Sequence, residues 1–214
     1  MISPSQKTRH LAITFFSTLL IFIGIAGCSL FSQSSRAYDP TRPNIIIILT
    51  DDQPQDTIAF MPILQKELVN KGVNFSNAYV TTPLCCPSRA SILSGQYARN
   101  HNVLTNRPTL GGAGNLDDSA TMATWLQGAG YTTGYIGKYL NAYASMEPYG
   151  YIPPGWDDWR VLIESGQPDR YYYDYTLNEN GEFVDYGHEE EDYGGDLLVR
   201  KALEFINNSA EEPF

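Results

Sequence analysis

The sequence predicts an α/β fold, a mixed sheet flanked by helices, on three observations. Asn44–Thr50 (NIIIILT) is an unbroken β-branched and apolar run that stops abruptly at Asp51-Asp52. Such a run without alternation suits a strand covered on both faces, hence a central parallel strand. Helical and extended patterns alternate after it, and the α/β class follows from that alternation.

Each element has its own signal. From Ile58 to Lys71, Met61, Leu64, Leu68 and Val69 recur at helical spacing, and Gly72 is a stop before an extended Val73–Val80. A short helix is expected over Pro87–Ser94, with Pro87 at its first position and Gly95 after its end. A Gly/Asn-rich loop runs through Asn115, then a helix over Ser119–Gln127 and a strand over Tyr131–Ile136. Tyr171–Leu177 and Glu182–Tyr186 flank Asn178-Glu179-Asn180-Gly181, the signature of a hairpin turn. Asp192 is the expected cap of a last helix ending near Asn207. No strand follows it before Phe214, so the sequence reads as the N-terminal portion of a domain cut before its C-terminal half.

Composition bounds the function. The 214 residues are 43% hydrophobic and 18% charged, enough apolar matter for a real core. The net charge of -10 has the wrong sign for a nucleic-acid binder, and three cysteines are too few for a disulfide scaffold. Residues 1–27 place Lys7, Arg9 and His10 ahead of the uncharged run Leu11–Gly27, a basic region followed by an apolar one, as in an export signal. A permanent membrane span is the competing reading, and the short run with small residues at its end weighs against it. Ile25-Ala26-Gly27-Cys28 resembles the bacterial lipobox, which implies that Cys28 becomes a lipidated N-terminus and a membrane anchor. Residues 28–42 are Ser-rich and lack apolar periodicity, as expected of a flexible tether. The folded body is therefore 43–214.

Two constellations carry chemistry. Asp51 and Asp52 stand at the C-terminal end of a strand, where open α/β sheets build their sites, and offer hard oxygen ligands for calcium or magnesium. Taken alone, the pair reads better as a loop start, since Asp-Asp is common at strand ends. Cys85-Cys86-Pro87-Ser88-Arg89, ahead of Leu93 and Gly95, places a cysteine at a helix N-terminus, where the dipole favours an anion, with the Arg89 guanidinium nearby. The residues predict an oxyanion site with a cysteine-derived nucleophile.

The motif Thr50-Asp51-Asp52-Gln53 followed by C-x-P-S-R-x-x-x-L-x-G resembles the type I sulfatases of the alkaline phosphatase superfamily, and the resemblance spans about residues 43–214. It implies an alkaline-phosphatase-like sheet and a formylglycine made from Cys85 by a formylglycine-generating enzyme, with Cys86 as the variable residue. It further implies that Asp51, Asp52 and the modified Cys85 bind the metal, usually calcium, with magnesium as the alternative. Arg89 would hold the formylglycine hydrate and Lys138, in Gly137-Lys138-Tyr139-Leu140-Asn141, would contact sulfate. An aldehyde suits this chemistry because one hydroxyl of its hydrate attacks sulfur while the other, losing its proton, expels sulfate and restores the aldehyde. Many arylsulfatases carry histidine where this chain has Leu140, so that role is not transferred. GKYLN, PPGW and the Tyr-rich YYYDYTLNENG are closer to the glucosamine-6-sulfatases and extracellular heparan sulfatases, which implies a sulfated carbohydrate such as N-acetylglucosamine-6-sulfate.

Three further readings complete the expectations. Tyr171, Tyr172, Tyr173 and Tyr175 are candidate stacking surfaces, with half-buried packing the favoured alternative. His101 is a structural or solvated loop histidine. Glu147–Asp192 holds 13 acids against Arg160 and Arg170, which tells against a long polyanion and leaves a small sulfated saccharide. The competing functions are a phosphodiesterase or phosphonate hydrolase of the same superfamily, and a lipid-anchored module that binds sulfated glycans without catalysis. The missing half leads us to expect that the 214-residue chain alone is inactive.

Overall fold

A computed structural model of the chain describes residues 41–163 and 171–214. The segments read as export signal and tether, Cys28 included, lie outside the described residues except for Thr41 and Arg42. Arg42, read as the tether's last residue, is already docked: its guanidinium donates to the Ala129 carbonyl and lies 4.9 Å from the centre of the Tyr131 ring.

Gln55–Phe60 is a 3-10 turn, and Pro62–Leu64 begins a helical stretch that widens into a π turn over Gln65–Val69. The chain then enters helix α1 (Cys85–Ser94), closed by Gly95 at φ 67°, where a left-handed backbone favours glycine. Helix α2 (Met122–Gly128) starts at a capping box between Thr121 and Thr124, later than the predicted Ser119. The sheet comprises β1 (Gly134–Gly137), β2 (Asp158–Ile163), β3 (Tyr175–Glu179) and β4 (Glu182–Tyr186), and helix α3 (Gly194–Asn208) follows. Spatial order equals sequence order, with β1 and β2 parallel and the other pairs antiparallel. The sheet is mixed, as predicted.

Several local expectations are corrected. Asn44–Thr50 is not a strand among the described residues, and Ile48 is 78% exposed. β-branched composition favours extended backbone, but a strand exists only through a ladder partner, and no described strand supplies one. Val73–Val80 likewise forms no strand. Helix α1 begins two residues before Pro87, so Pro87 stands at its third position, still within the first turn where a missing N–H costs nothing. Tyr193 flanks the start of α3, while the Asp192 carboxylate instead accepts the Gly187 N–H at 3.0 Å. Strand β2 was not foreseen; its Trp159 and Val161 are fully buried.

The core unites α1 with the sheet through aromatic rings. Tyr135, Tyr139, Tyr143 and Trp159 meet mostly edge to face, with centroids 5.0–5.7 Å apart for the pairs Tyr135–Tyr139, Tyr139–Tyr143, Tyr139–Trp159 and Tyr143–Trp159. The polar ends are satisfied. The Tyr143 hydroxyl donates to the Tyr151 carbonyl at 2.5 Å and accepts from Trp159 Nε1 at 2.9 Å and Asn178 Nδ2 at 2.8 Å. No buried side-chain nitrogen or oxygen lacks a partner among the described residues, so this network fixes the loop after β1 at no cost in unpaired groups.

Candidate active site

Local structure brings the predicted residues together. Cys85 opens α1 and Arg89, one helical turn later, shares its face. Lys138 leaves β1 just after Gly137, whose φ of 110° turns the chain there. Asp51 and Asp52 follow the apolar run, with Asp52 in the left-handed region at φ 53°.

Asp51 is the hub. Its Oδ1 lies 3.6 Å from Cys85 Sγ, and its Oδ2 accepts from Lys138 Nζ at 2.5 Å and faces the Arg89 guanidinium at 3.9 Å. Lys138 Nζ is also 3.5 Å from Cys85 Sγ. Burial pushes the Asp51 carboxyl upward, but the hydrogen bond and charge of Lys138, with Arg89 beyond, outweigh it and hold the group below its ordinary value. Burial likewise pulls the Lys138 ammonium down, and Asp51 and Cys85 reverse this, so Lys138 ends above its ordinary value. Both stay charged near neutrality.

Arg89 is held from behind. Its NH1 donates to the Lys138 carbonyl at 2.7 Å and to the Tyr135 hydroxyl at 3.3 Å, and that hydroxyl donates to the same carbonyl at 2.8 Å. Burial pushes the Tyr135 phenol up and keeps its proton in place. Tyr135 was not singled out from sequence, because its contact with Arg89 spans 46 positions.

The two adjacent cysteines part ways. Cys85 is half-buried beside Asp51 and Lys138, whereas Cys86 is fully buried. Cys86 Sγ accepts the Asn141 N–H at 2.9 Å, and the Cys86 N–H donates to Asn106 Oδ1 at 2.9 Å. This arrangement also revises the anion site expected at the helix N-terminus. The Cys86 N–H goes to Asn106, Pro87 has none, and the Ser88 N–H goes to the Leu84 carbonyl. Positive charge beside Cys85 comes from Lys138 and Arg89 more than from backbone donors.

Ligand atoms of Asp51, Asp52 and Cys85 all lie within 4.8 Å of one another. Two carboxylates fit a hard divalent cation, but calcium takes six to eight oxygens and a thiol is a soft ligand. An oxygen-bearing form of Cys85 would match the carboxylates better. His101 is buried outside this group, with Nε2 3.0 Å from Ser91 Oγ and Nδ1 accepting the Val103 N–H at 3.1 Å. It braces α1 against the following loop.

The sulfatase family model matches residues 43–214. The chain belongs to the sulfatase family. It is 40% identical over 187 residues to the extracellular sulfatase SULF-1 homolog of Drosophila melanogaster, covering 85% of this chain and 16% of that protein. It is 36% identical over 219 residues to the N-acetylglucosamine-6-sulfatase of Homo sapiens, covering 96% of this chain and 38% of that one. A solved structure described as a complex with its substrate D-glucosamine-2-N,6-O-disulfate superposes with a TM-score of 0.63 at 30% identity, over 81% of this chain and 33% of that chain. The fold is the alkaline-phosphatase-like fold of its structural neighbours. The chain spans well under half the length of these relatives.

Proposed function

We propose that this chain carries the nucleophile and part of the metal shell of a sulfuric ester hydrolase acting on a sulfated sugar. The observation that carries the reading is the convergence of Cys85, Asp51, Lys138 and Arg89 in one cluster. Asp51 and Asp52 would hold a calcium or magnesium ion, which when bound polarises sulfate oxygens and offsets charge developing in the transition state. Formylglycine made from Cys85 would supply a hydrate hydroxyl as the nucleophile. Lys138 would bind a sulfate oxygen, and Arg89, fixed by Tyr135 and the Lys138 carbonyl, would orient the group at position 85. A sulfated glucosamine is favoured as substrate by the relatives with that name or ligand. The extracellular sulfatase among the relatives, with the basic and apolar leader, supports export; lipid anchoring through Cys28 rests on the lipobox resemblance of Ile25-Ala26-Gly27-Cys28 alone.

The assay is sulfate release from N-acetylglucosamine-6-sulfate by the full-length protein from its native host, since this chain spans only 16–38% of the length of the relatives named above. Loss of release in Cys85→Ala and retention in Cys86→Ala is the expected pattern. Preferential hydrolysis of phosphate diesters or phosphonates would instead favour the related hydrolases. Among the described residues, Asp51, Asp52 and Cys85 are the cluster of acidic, thiol or imidazole ligands, fewer than the six to eight oxygens calcium takes, so the 214-residue chain alone is expected to show no robust metal-dependent turnover, and such turnover would overturn that expectation.

A further inference from the structure

Strand direction places a second feature at the same end of the sheet as the site. β1 runs toward Lys138, β2 is parallel to it, and β3 runs back from that end, with Ile163 opposite Thr176 and Tyr175 opposite Tyr186. Tyr172 and Tyr173, just before β3, and His188, just after β4, therefore emerge where Lys138 does. β3 lies two strands from β1, a lateral offset of about 10 Å at ordinary strand spacing.

At this place Tyr172 and Tyr193 form a stacked pair, ring centroids 6.0 Å apart and planes within 8°, and Tyr172 is 57% exposed. Tyr173 lies 5.6 Å from Tyr193 and 4.5 Å from His188. The platform is built on close backbone packing. Gly194 donates its N–H to the Tyr172 carbonyl at 2.8 Å, and a Cβ at Gly194 would sit 2.4 Å from the Tyr171 oxygen. A Cβ at Gly195 would lie 2.8 Å from the Tyr193 ring, so the glycine pair lets that ring lie across the start of α3. The Asp174 N–H donates to the Gly187 carbonyl at 2.8 Å, and the Tyr175 hydroxyl to the Asp192 carbonyl at 2.8 Å, which ties the segments together.

We propose that Tyr172 and Tyr193 form a subsite for an uncharged pyranose ring of the same glycan whose sulfated residue lies at Lys138. This rests on the sulfatase reading above. Charge selects the occupant: Asp174, which bonds the exposed His188 at 3.1 Å, and the neighbouring acids Glu189–Asp192 repel sulfate groups but accept hydrogen bonds from sugar hydroxyls. Flat tyrosine rings with an amphipathic edge suit the apolar face of a neutral sugar. The preferred ligand thus carries sulfate at one end and neutral residues beside it, unlike a uniformly sulfated heparin-type chain.

Calorimetric titration of the chain with four probes tests this: N-acetylglucosamine-6-sulfate, a trisaccharide adding two neutral N-acetylglucosamine residues to it, the wholly neutral trisaccharide, and a fully sulfated heparin trisaccharide. The singly sulfated trisaccharide should bind about tenfold tighter than the monosaccharide, and the heparin trisaccharide should show no such gain. Tyr172→Ala should erase the gain without changing monosaccharide affinity, and Tyr172→Phe should restore it. A gain that survives Tyr172→Ala in a variant with unchanged melting temperature, or the same gain for heparin, overturns the subsite. Monosaccharide binding indifferent to Lys138→Ala contradicts the sulfatase reading instead, and Tyr172-dependent binding of the neutral trisaccharide would still uphold the platform.

Discussion

Cys85 and Cys86 share a residue type and a helix turn, yet only Cys85 meets Asp51 and Lys138. Cys86 packs in the core with the Asn141 N–H on its sulfur, so Cys86→Ala should lower stability by about 1–2 kcal/mol in urea unfolding. It should leave maturation at position 85 intact. His101 gives a pH test at the same scale. Burial lowers its folded pKa below the ordinary 6.5, so the unfolded chain binds the extra proton first. Its contribution is complete above the unfolded value and is lost as pH falls from there through the folded one. The slope of stability against pH below 6.5 should flatten in His101→Ala, and an unchanged slope would remove His101 as its source.

At the scale of elements, the edge of the hairpin is held by charge. Glu179 accepts from Lys201 Nζ at 2.8 Å and lies 3.6 Å from Arg160 NH1. Burial pushes its carboxyl up, but Lys201 and Tyr186, with Arg160, bring it below the ordinary 4.5. That stabilisation is present above the unfolded value and disappears as pH falls through the folded one. Glu179→Gln should lower the melting temperature at neutral pH and have progressively less effect toward acid, a trend visible in calorimetry. The hairpin itself was legible because Asn180 and Gly181 both take positive φ, which their residue types announce. Helix α1 was legible from Pro87 and Gly95. β2 was missed although Asp158-Trp159-Arg160-Val161 alternates, because the Pro, Gly and acids around it read as loop. Asn44–Thr50 misled for the opposite reason, since its composition is right for a strand and its ladder is absent among the described residues. At the site, Asp51, Cys85, Arg89 and Lys138 were legible as motifs, whereas Tyr135, Asn106 and Asn141 were not: their roles arise from contacts between distant positions that leave no local pattern.

Across the whole molecule, apolar surface lies open on one stretch of chain, where Ile45–Leu49, Phe60, Ile63, Val73 and Phe75 are all exposed. Exposed contiguous apolar area marks an interaction surface or an aggregation liability. The isolated chain should therefore bind an apolar dye such as ANS strongly, and Ile46→Lys with Ile48→Lys should reduce the fluorescence; dye binding no greater than that of a compact globular control would show this surface to be covered. The central claim is that Cys85 is a sulfatase nucleophile precursor, and it is tested most directly by mass. Protein from a host that modifies a known sulfatase is digested with trypsin, and the Gly72–Arg89 peptide is weighed and fragmented. The account predicts a lighter peptide with an aldehyde at Cys85 and an intact thiol at Cys86. A thiol at both positions in that competent host would contradict it.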